Sequence, residues 1–209
     1  LASDDEFMPD RFADQVEILE RNPNLKLVYS NGVNVKDGYQ VGFVHDEEIV
    51  EKLSNGSAQD VYAYVTSKTP LLYIQGILVR SDFIKEFEPF DTSLIADDWV
   101  FNIRVFKYLS DIKSDFSYFD KVVFKRNILE KSTSNNPNQH FNRVAQVALK
   151  YIDSRNYSFY LKFYIVFIIS FAKNKDLKSC FKLIFRLFLL NIPLMSHNKN
   201  VDKIIDLNG

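Results

Sequence analysis

From Leu25 to Phe43 the chain alternates apolar and polar residues around a central Asp-Gly. Leu25, Leu27 and Tyr29 come first, then Val33 and Val35. After Asp37-Gly38 the pattern resumes in Tyr39, Val41 and Phe43. A period of two interrupted by Asp-Gly is the signature of a β-hairpin, because both turn residues accept positive φ. The chain must therefore build at least part of an antiparallel sheet and cover one of its faces. Helical periodicity flanks the hairpin. Pro9 to Arg21 predicts a helix, with Pro9 at its first position and Phe12, Val16 and Leu19 on one face, stopped by Asn22-Pro23-Asn24. Glu47 to Leu53 predicts a short helix ending at Asn55-Gly56. Leu71 to Arg80 reads as a buried strand, with Gly76 marking a close backbone or ligand approach. Ser81 reads as the N-cap of a helix through Glu86. Asp97 to Leu109 is a helix with Trp99, Ile103 and Phe106 along one side, and Phe116, Tyr118, Val122 and Phe124 are strand-like.

The polar run Ser132 to Gln139 ends this mixed pattern. The remainder of the chain is helical throughout: Phe141–Ile152, Tyr157–Ala172 and Leu177–Ile192, with a turn at Asn174-Lys175-Asp176. The expected organisation is an α/β domain, a mixed sheet with helices, over 1–135 and a helical C-terminal appendage over 136–209. Charge respects the same division. The net charge of −1 conceals −7 over residues 1–149 and +6 over 150–209, so the two parts suit different partners. An overall negative body gives no basis for nucleic-acid binding. Apolar residues make up 46% and charged residues 25% of the 209, enough to bury an ordinary core. The lone Cys180 permits no internal disulfide and argues against a zinc site, which fits a reducing compartment. The acidic start lacks a basic and apolar leader. The chain opens on Leu1, in mid-motif, and reads as a piece of a longer polypeptide.

Two acidic pairs stand at helix starts: Asp4-Asp5 after Ser3, and Asp97-Asp98 before Trp99. Either pair alone is ordinarily a cap and a partner for the helix dipole. Together they have the chemistry of sugar transfer from a nucleotide diphosphate. One carboxylate set would hold a divalent cation, Mn²⁺ or Mg²⁺, against the departing diphosphate, since these ions prefer oxygen ligands. A second carboxylate would take the proton of the attacking hydroxyl.

The residues around the pairs resemble the family 2 glycosyltransferases of the GT-A fold. The run Leu1-Ala2-Ser3-Asp4-Asp5-Glu6-Phe7-Met8-Pro9-Asp10-Arg11-Phe12 is similar to the family's aspartate-rich metal motif and the helix after it. Gln15-Val16, Asn22-Pro23 and Leu27-Val28-Tyr29-Ser30 extend the likeness. Ile74-Gln75-Gly76 with Leu78-Val79-Arg80 resembles the acceptor-side strand, and Phe90-Asp91, Asp97-Asp98-Trp99 and Arg104 resemble the segment in which an acidic pair opens a helix. The likeness covers roughly residues 1–134. It implies that Asp98 is the catalytic base and that Asp4, with Asp5, holds the metal. Gln75, Gly76, Asp97 and Trp99 would shape the substrate pocket, and Arg104 would orient the helix. It implies an inverting, metal-dependent hexosyl transfer to a saccharide or lipid-linked saccharide in bacterial cell-surface polysaccharide synthesis. Such an enzyme would work in the cytoplasm at the inner face of the membrane.

Three departures qualify the resemblance. Ala2 stands where the family usually has Asp. Arg126 is followed by Asn127 and Ile128 rather than by a gap residue and His. The family's nucleotide-binding first half would precede Leu1, so the resemblance implies a polypeptide that is expected to be inactive alone. The rival expectation is a non-catalytic interaction or membrane-docking module of transferase-like shape. Residues 157–192 carry that option, with Phe181, Ile184, Phe185 and Phe188 for lipid and Lys178, Lys182 and Arg186 for head groups. A homodimer contact is a third use of the same helices. His45, His140 and His197 are isolated in sequence and read as surface or satisfied histidines, Cys180 as buried and inert, and no glycine-rich phosphate loop is present.

Overall fold

The computed structural model describes residues 5–70, 72–94, 97–128, 137–153 and 156–191. It is of mixed α/β class and separates into two compact units. The first comprises the described parts of 1–65, 69–93 and 97–132. The second comprises those of 66–68, 94–96 and 133–209.

The first unit is organised around one long strand. In chain order it contains β1 (Glu6–Phe7), α1 (Arg11–Arg21), β2 (Leu25–Lys36), β3 (Tyr39–Phe43), α2 (Glu47–Asn55) and most of α3 (Ala58–Ser67). A single 3₁₀ turn (Ile74–Gly76) leads into β4 (Ile77–Val79), α4 (Ser81–Glu86), α5 (Asp97–Asp111) and β5 (Asp115–Asn127). β2 runs parallel to β5 along its length. On its other edge it pairs antiparallel with β4 at Leu27–Tyr29 and with β3 at Val33–Lys36, and β1 adds antiparallel to the far side of β5. The expected hairpin forms at Asp37-Gly38, whose φ values of 52° and 82° suit a right-twisted two-residue turn. Leu27, Val28 and Tyr29 are fully buried, and Tyr29 stacks on Phe106 of α5 at 5.7 Å. That packing arises because the β-branched and aromatic residues of the strand meet the apolar side of α5.

Several expectations require correction. The helix anticipated from Pro9 begins at Arg11, because Asp10 takes a left-handed backbone at φ 58° and ends the turn before it. Its buried face is Arg11, Gln15 and Leu19, whereas Phe12 and Val16 are exposed. The polar side chains face inward because they carry hydrogen bonds to neighbouring carbonyls. Leu71 to Arg80 is not one strand: the 3₁₀ turn occupies its middle, and only Ile77–Val79 pair with β2. Leu71 lies outside the described residues. Arg80 rather than Ser81 holds the cap position of α4, its side chain directed to the carbonyls of Leu25 and Leu19. Neither α3 nor β1 was expected.

The second unit contains α6 (Pro137–Tyr151), α7 (Tyr157–Lys173) and α8 (Leu177–Asn191). Phe141 of α6 packs between Phe163 and Phe167 of α7, at ring distances of 5.2 and 5.1 Å. Asn156 caps α7 by accepting from the Phe159 N–H, and Asp176 caps α8 by accepting from that of Ser179. Cys180 is buried, with its thiol against the carbonyl of Ile168. Among the described residues no helix is long and apolar enough to cross a membrane.

Candidate functional site

The site is assembled from four stretches of the first unit: the entry to β1, the segment Leu72–Gly76, the start of α5 and the end of β5. Asp5 immediately precedes β1 and is 9% exposed. Its Oδ1 accepts from the backbone N–H of Asn127 at 3.2 Å, and its Oδ2 accepts from Gln75 Nε2 at 3.2 Å. These two bonds fix the orientation of the carboxylate between β5 and the 3₁₀ turn.

Gln75 sits in that turn, and α1 holds the turn from below. Arg11 donates from Nη1 to the Gln75 carbonyl at 2.8 Å and from Nη2 to that of Ile77 at 3.1 Å. Gln15, fully buried, donates from Nε2 to Gly76 O at 3.0 Å and to Ser30 Oγ at 3.1 Å. A 3₁₀ turn leaves carbonyls without helical partners, and these two side chains supply the donors. Gly76 is required sterically: a Cβ there would lie 2.2 Å from the Ser30 carbonyl oxygen. Gln75 Oε1 is buried and has no hydrogen-bond partner among the described residues.

Asp98, in the first turn of α5, is positioned by Asn102 one turn later. Asn102 is fully buried. Its Nδ2 donates to the carbonyls of Leu72 at 2.8 Å and Asp98 at 2.7 Å, while its Oδ1 accepts from the Tyr29 phenol. One amide therefore ties the helix start to the segment that carries Tyr73 and Gln75. Tyr73 packs against the small cluster of Val44, Val123 and Phe124, and Arg126 lies over its ring at 4.8 Å. Arg126 also donates from Nη1 to Asn34 Oδ1 at 3.1 Å.

Both acidic segments act electrostatically on Tyr73. Burial pushes its phenol above the ordinary tyrosine value; Arg126 pulls against that, and Asp98 and Asp5 add to it. Both carboxylates are thus near enough to act on one phenol. Burial also raises the Tyr29 phenol, with Asp98 contributing.

Of the residues singled out from sequence, Gln75 bonds Asp5, Gly76 follows it in the same turn, and Asp5 and Asp98 both act electrostatically on Tyr73. Asp4 lies outside the described residues, as does the side chain of Asp97, the first residue of α5. Trp99 is buried and its indole N–H is spent on the Val65 carbonyl at 2.8 Å. Arg104 donates to the Glu88 carbonyl at 2.6 Å, which fixes α5 against the preceding loop. The sequence reading missed Tyr73, Asn102 and the part played by Arg126. Asn102 did carry a signal, being an amide on the apolar side of α5, one turn before Phe106.

The groups at Asp5 that could meet a cation are all oxygen: its carboxylate and the unpartnered Gln75 Oε1. They fit a hard divalent cation that takes the rest of its ligands from water or a bound phosphate. Among the described residues no group of three His, Cys, Asp or Glu could hold a metal by itself.

No protein-family model matches this chain, and no curated protein matches it.

Proposed function

We propose that this chain is the acceptor-side part of an inverting, metal-dependent glycosyltransferase. The donor class is a nucleotide-diphosphate sugar, and the acceptor a saccharide or lipid-linked saccharide. What supports the reading is that Asp5 and Asp98, 93 positions apart in sequence, both act electrostatically on the Tyr73 phenol, with Gln75 bonded to Asp5 and Arg126 over the Tyr73 ring. Sugar transfer needs this division of labour. Asp98 accepts the proton of the acceptor hydroxyl as its oxygen bonds to the anomeric carbon, and the carbon–oxygen bond to the diphosphate breaks on the opposite face, the electron pair leaving with the diphosphate. Arg126 supplies a fixed positive charge close to the developing negative one. Asp5 and Gln75 would hold Mn²⁺ or Mg²⁺, which when bound neutralises charge on the leaving diphosphate.

The test is turnover of a panel of nucleotide sugars by the full-length protein, with Mn²⁺ or Mg²⁺ and with EDTA. Asp98→Asn should lower turnover by at least about 100-fold and leave donor affinity unchanged, as expected for loss of a general base. Unchanged turnover in this variant would remove Asp98 from the role. No binding of any donor would remove the transferase reading.

One observation favours the second reading, membrane docking. On α8, Phe181 is 69% and Phe185 63% exposed, with Lys178 and Lys182 exposed beside them. Exposed aromatics flanked by lysines suit an anionic lipid surface. Phe188 has its side chain outside the described residues. Co-sedimentation with phosphatidylglycerol vesicles should fall in Phe181→Ser/Phe185→Ser. Equal sedimentation, or its replacement by a change in oligomeric state, would end that reading.

A further inference from the structure

His45 is not the surface or satisfied histidine expected from sequence. It is 1% exposed, and neither ring nitrogen has a hydrogen-bond partner among the described residues. Both nitrogens are sealed from solvent, so the ring offers nothing to a ligand. A second buried polar side chain, Arg11, has bonds that lead to the candidate site.

Arg11 is 3% exposed and opens α1, where the helix dipole disfavours a cation. Burial lowers its pKa, and among the described residues no carboxylate offsets that cost. Its guanidinium lies 3.8 Å from the Phe7 ring centroid and 4.6 Å from that of Phe12. Helix stability does not explain a cation placed there. Its hydrogen bonds do. The two Nη atoms span the carbonyls of Gln75 and Ile77, on either side of Gly76. They fix the backbone that carries the Gln75 side chain, whose Nε2 donates to Asp5 Oδ2. A continuous chain of contacts therefore runs from α1 through the 3₁₀ turn to one oxygen of the Asp5 carboxylate. The other oxygen is held separately, by the Asn127 amide. A lysine ammonium on its flexible stem does not reproduce the planar fork that this chain begins with.

We propose that Arg11 is a positioning residue for Asp5: acting through Gln75, it sets the affinity of the carboxylate for a divalent cation. The proposal rests on the reading of Asp5 as a cation ligand. Groups that orient a ligand from behind govern affinity without touching the metal.

Mn²⁺ binding by the full-length protein, read from the electron paramagnetic resonance signal of free Mn²⁺, tests it. Saturable binding that Asp5→Asn abolishes is expected. Arg11→Lys keeps the charge and should weaken that binding about tenfold or more. Where Arg11→Lys fails to fold, Arg11→Gln, which keeps a neutral donor, takes its place with the same expected loss. Gln75→Leu should weaken binding alike, and the arginine substitution should add nothing in that background, because the two residues act in series. Leu19→Ala loosens the same buried face of α1 without touching the 3₁₀ turn's hydrogen bonds, and should leave affinity unchanged. No Mn²⁺ binding by the wild type, or binding that survives Asp5→Asn, would end the cation reading and this proposal with it. Binding that is lost in Asp5→Asn but unaltered by the Arg11 substitution, or weakened as much by Leu19→Ala, would overturn the positioning role alone.

Discussion

Gln15 Nε2 donates to the carbonyl of Gly76 at 3.0 Å, across 61 positions of sequence. The same amide nitrogen reaches Ser30 Oγ, so a single helix residue satisfies polar groups of both the 3₁₀ turn and β2. Gln15→Leu keeps the volume and removes the donor. It should destabilise the protein by about 1–3 kcal/mol, because buried acceptors are left unpaired. The neighbouring Phe12→Ser, at a half-exposed ring that touches Phe7 and Arg11, should cost less, about 1 kcal/mol at most. Urea denaturation of the two variants separates the outcomes, and an equal effect would mean that the apolar face of α1 is the buried one.

Two glycines should respond differently to the same substitution. In Gly76→Ala the new methyl meets the Ser30 carbonyl, which is backbone and cannot yield. In Gly38→Ala it meets open space, and only the positive φ of 82° is unfavourable. Gly38→Ala should therefore cost about 1–2 kcal/mol. Gly76→Ala should cost more, with strain of the kind that overpacking produces. Thermal melts that rank them the other way would contradict the close approach at Ser30.

His45 makes stability depend on pH in one direction. Its folded value near 4 lies below the ordinary 6.5, so the unfolded chain binds the proton first. Stability should be full above about pH 6.5. It should fall as pH drops, and the loss should be complete near pH 4, amounting to roughly 3 kcal/mol at most. His45→Gln should flatten that slope in denaturant midpoints measured between pH 4 and 7. A slope unchanged by the substitution would assign it to other groups.

The Tyr73 phenol offers a test of the candidate site that needs no substrate. Asp98→Asn should lower its titration midpoint, because a charge that opposes phenolate formation is removed, and Arg126→Met should raise it. Carbon NMR of labelled tyrosine reads both shifts. No movement in either variant would separate Asp98 and Arg126 from Tyr73.

Legibility in the sequence was governed by local chemistry. The hairpin was readable because Asp37-Gly38 needs positive φ at both residues, and α2 because Asn55-Gly56 marks its end. Pairings decided far away in the chain were not. Nothing near Arg11 and Gln15 indicates that they face inward, since the carbonyls of Gln75 and Gly76 that they serve lie more than 60 positions on. Asp5 and Asp98 could be named as acidic pairs from sequence, but Tyr73, whose phenol both influence, sits inside an apolar run that resembles any buried strand. α3 escaped notice because Ala58–Ser67 mixes polar and apolar residues without a sharp stripe. His45 was misjudged because isolation in sequence says nothing about burial.

β1 consists of two residues, and Glu6 pairs with Lys125 while Asp5 bonds to the amide of Asn127. Joining points some 120 positions apart costs loop-closure entropy that a two-residue strand repays poorly. Such a contact is expected to form late in folding and to open before the β2–β5 ladder gives way. Hydrogen exchange at the Asn127 amide would therefore outpace that of its strand neighbours. A molecule with its sheet and helices complete could still lack the carboxylate at its candidate site, so a folded population and a competent one need not be the same size.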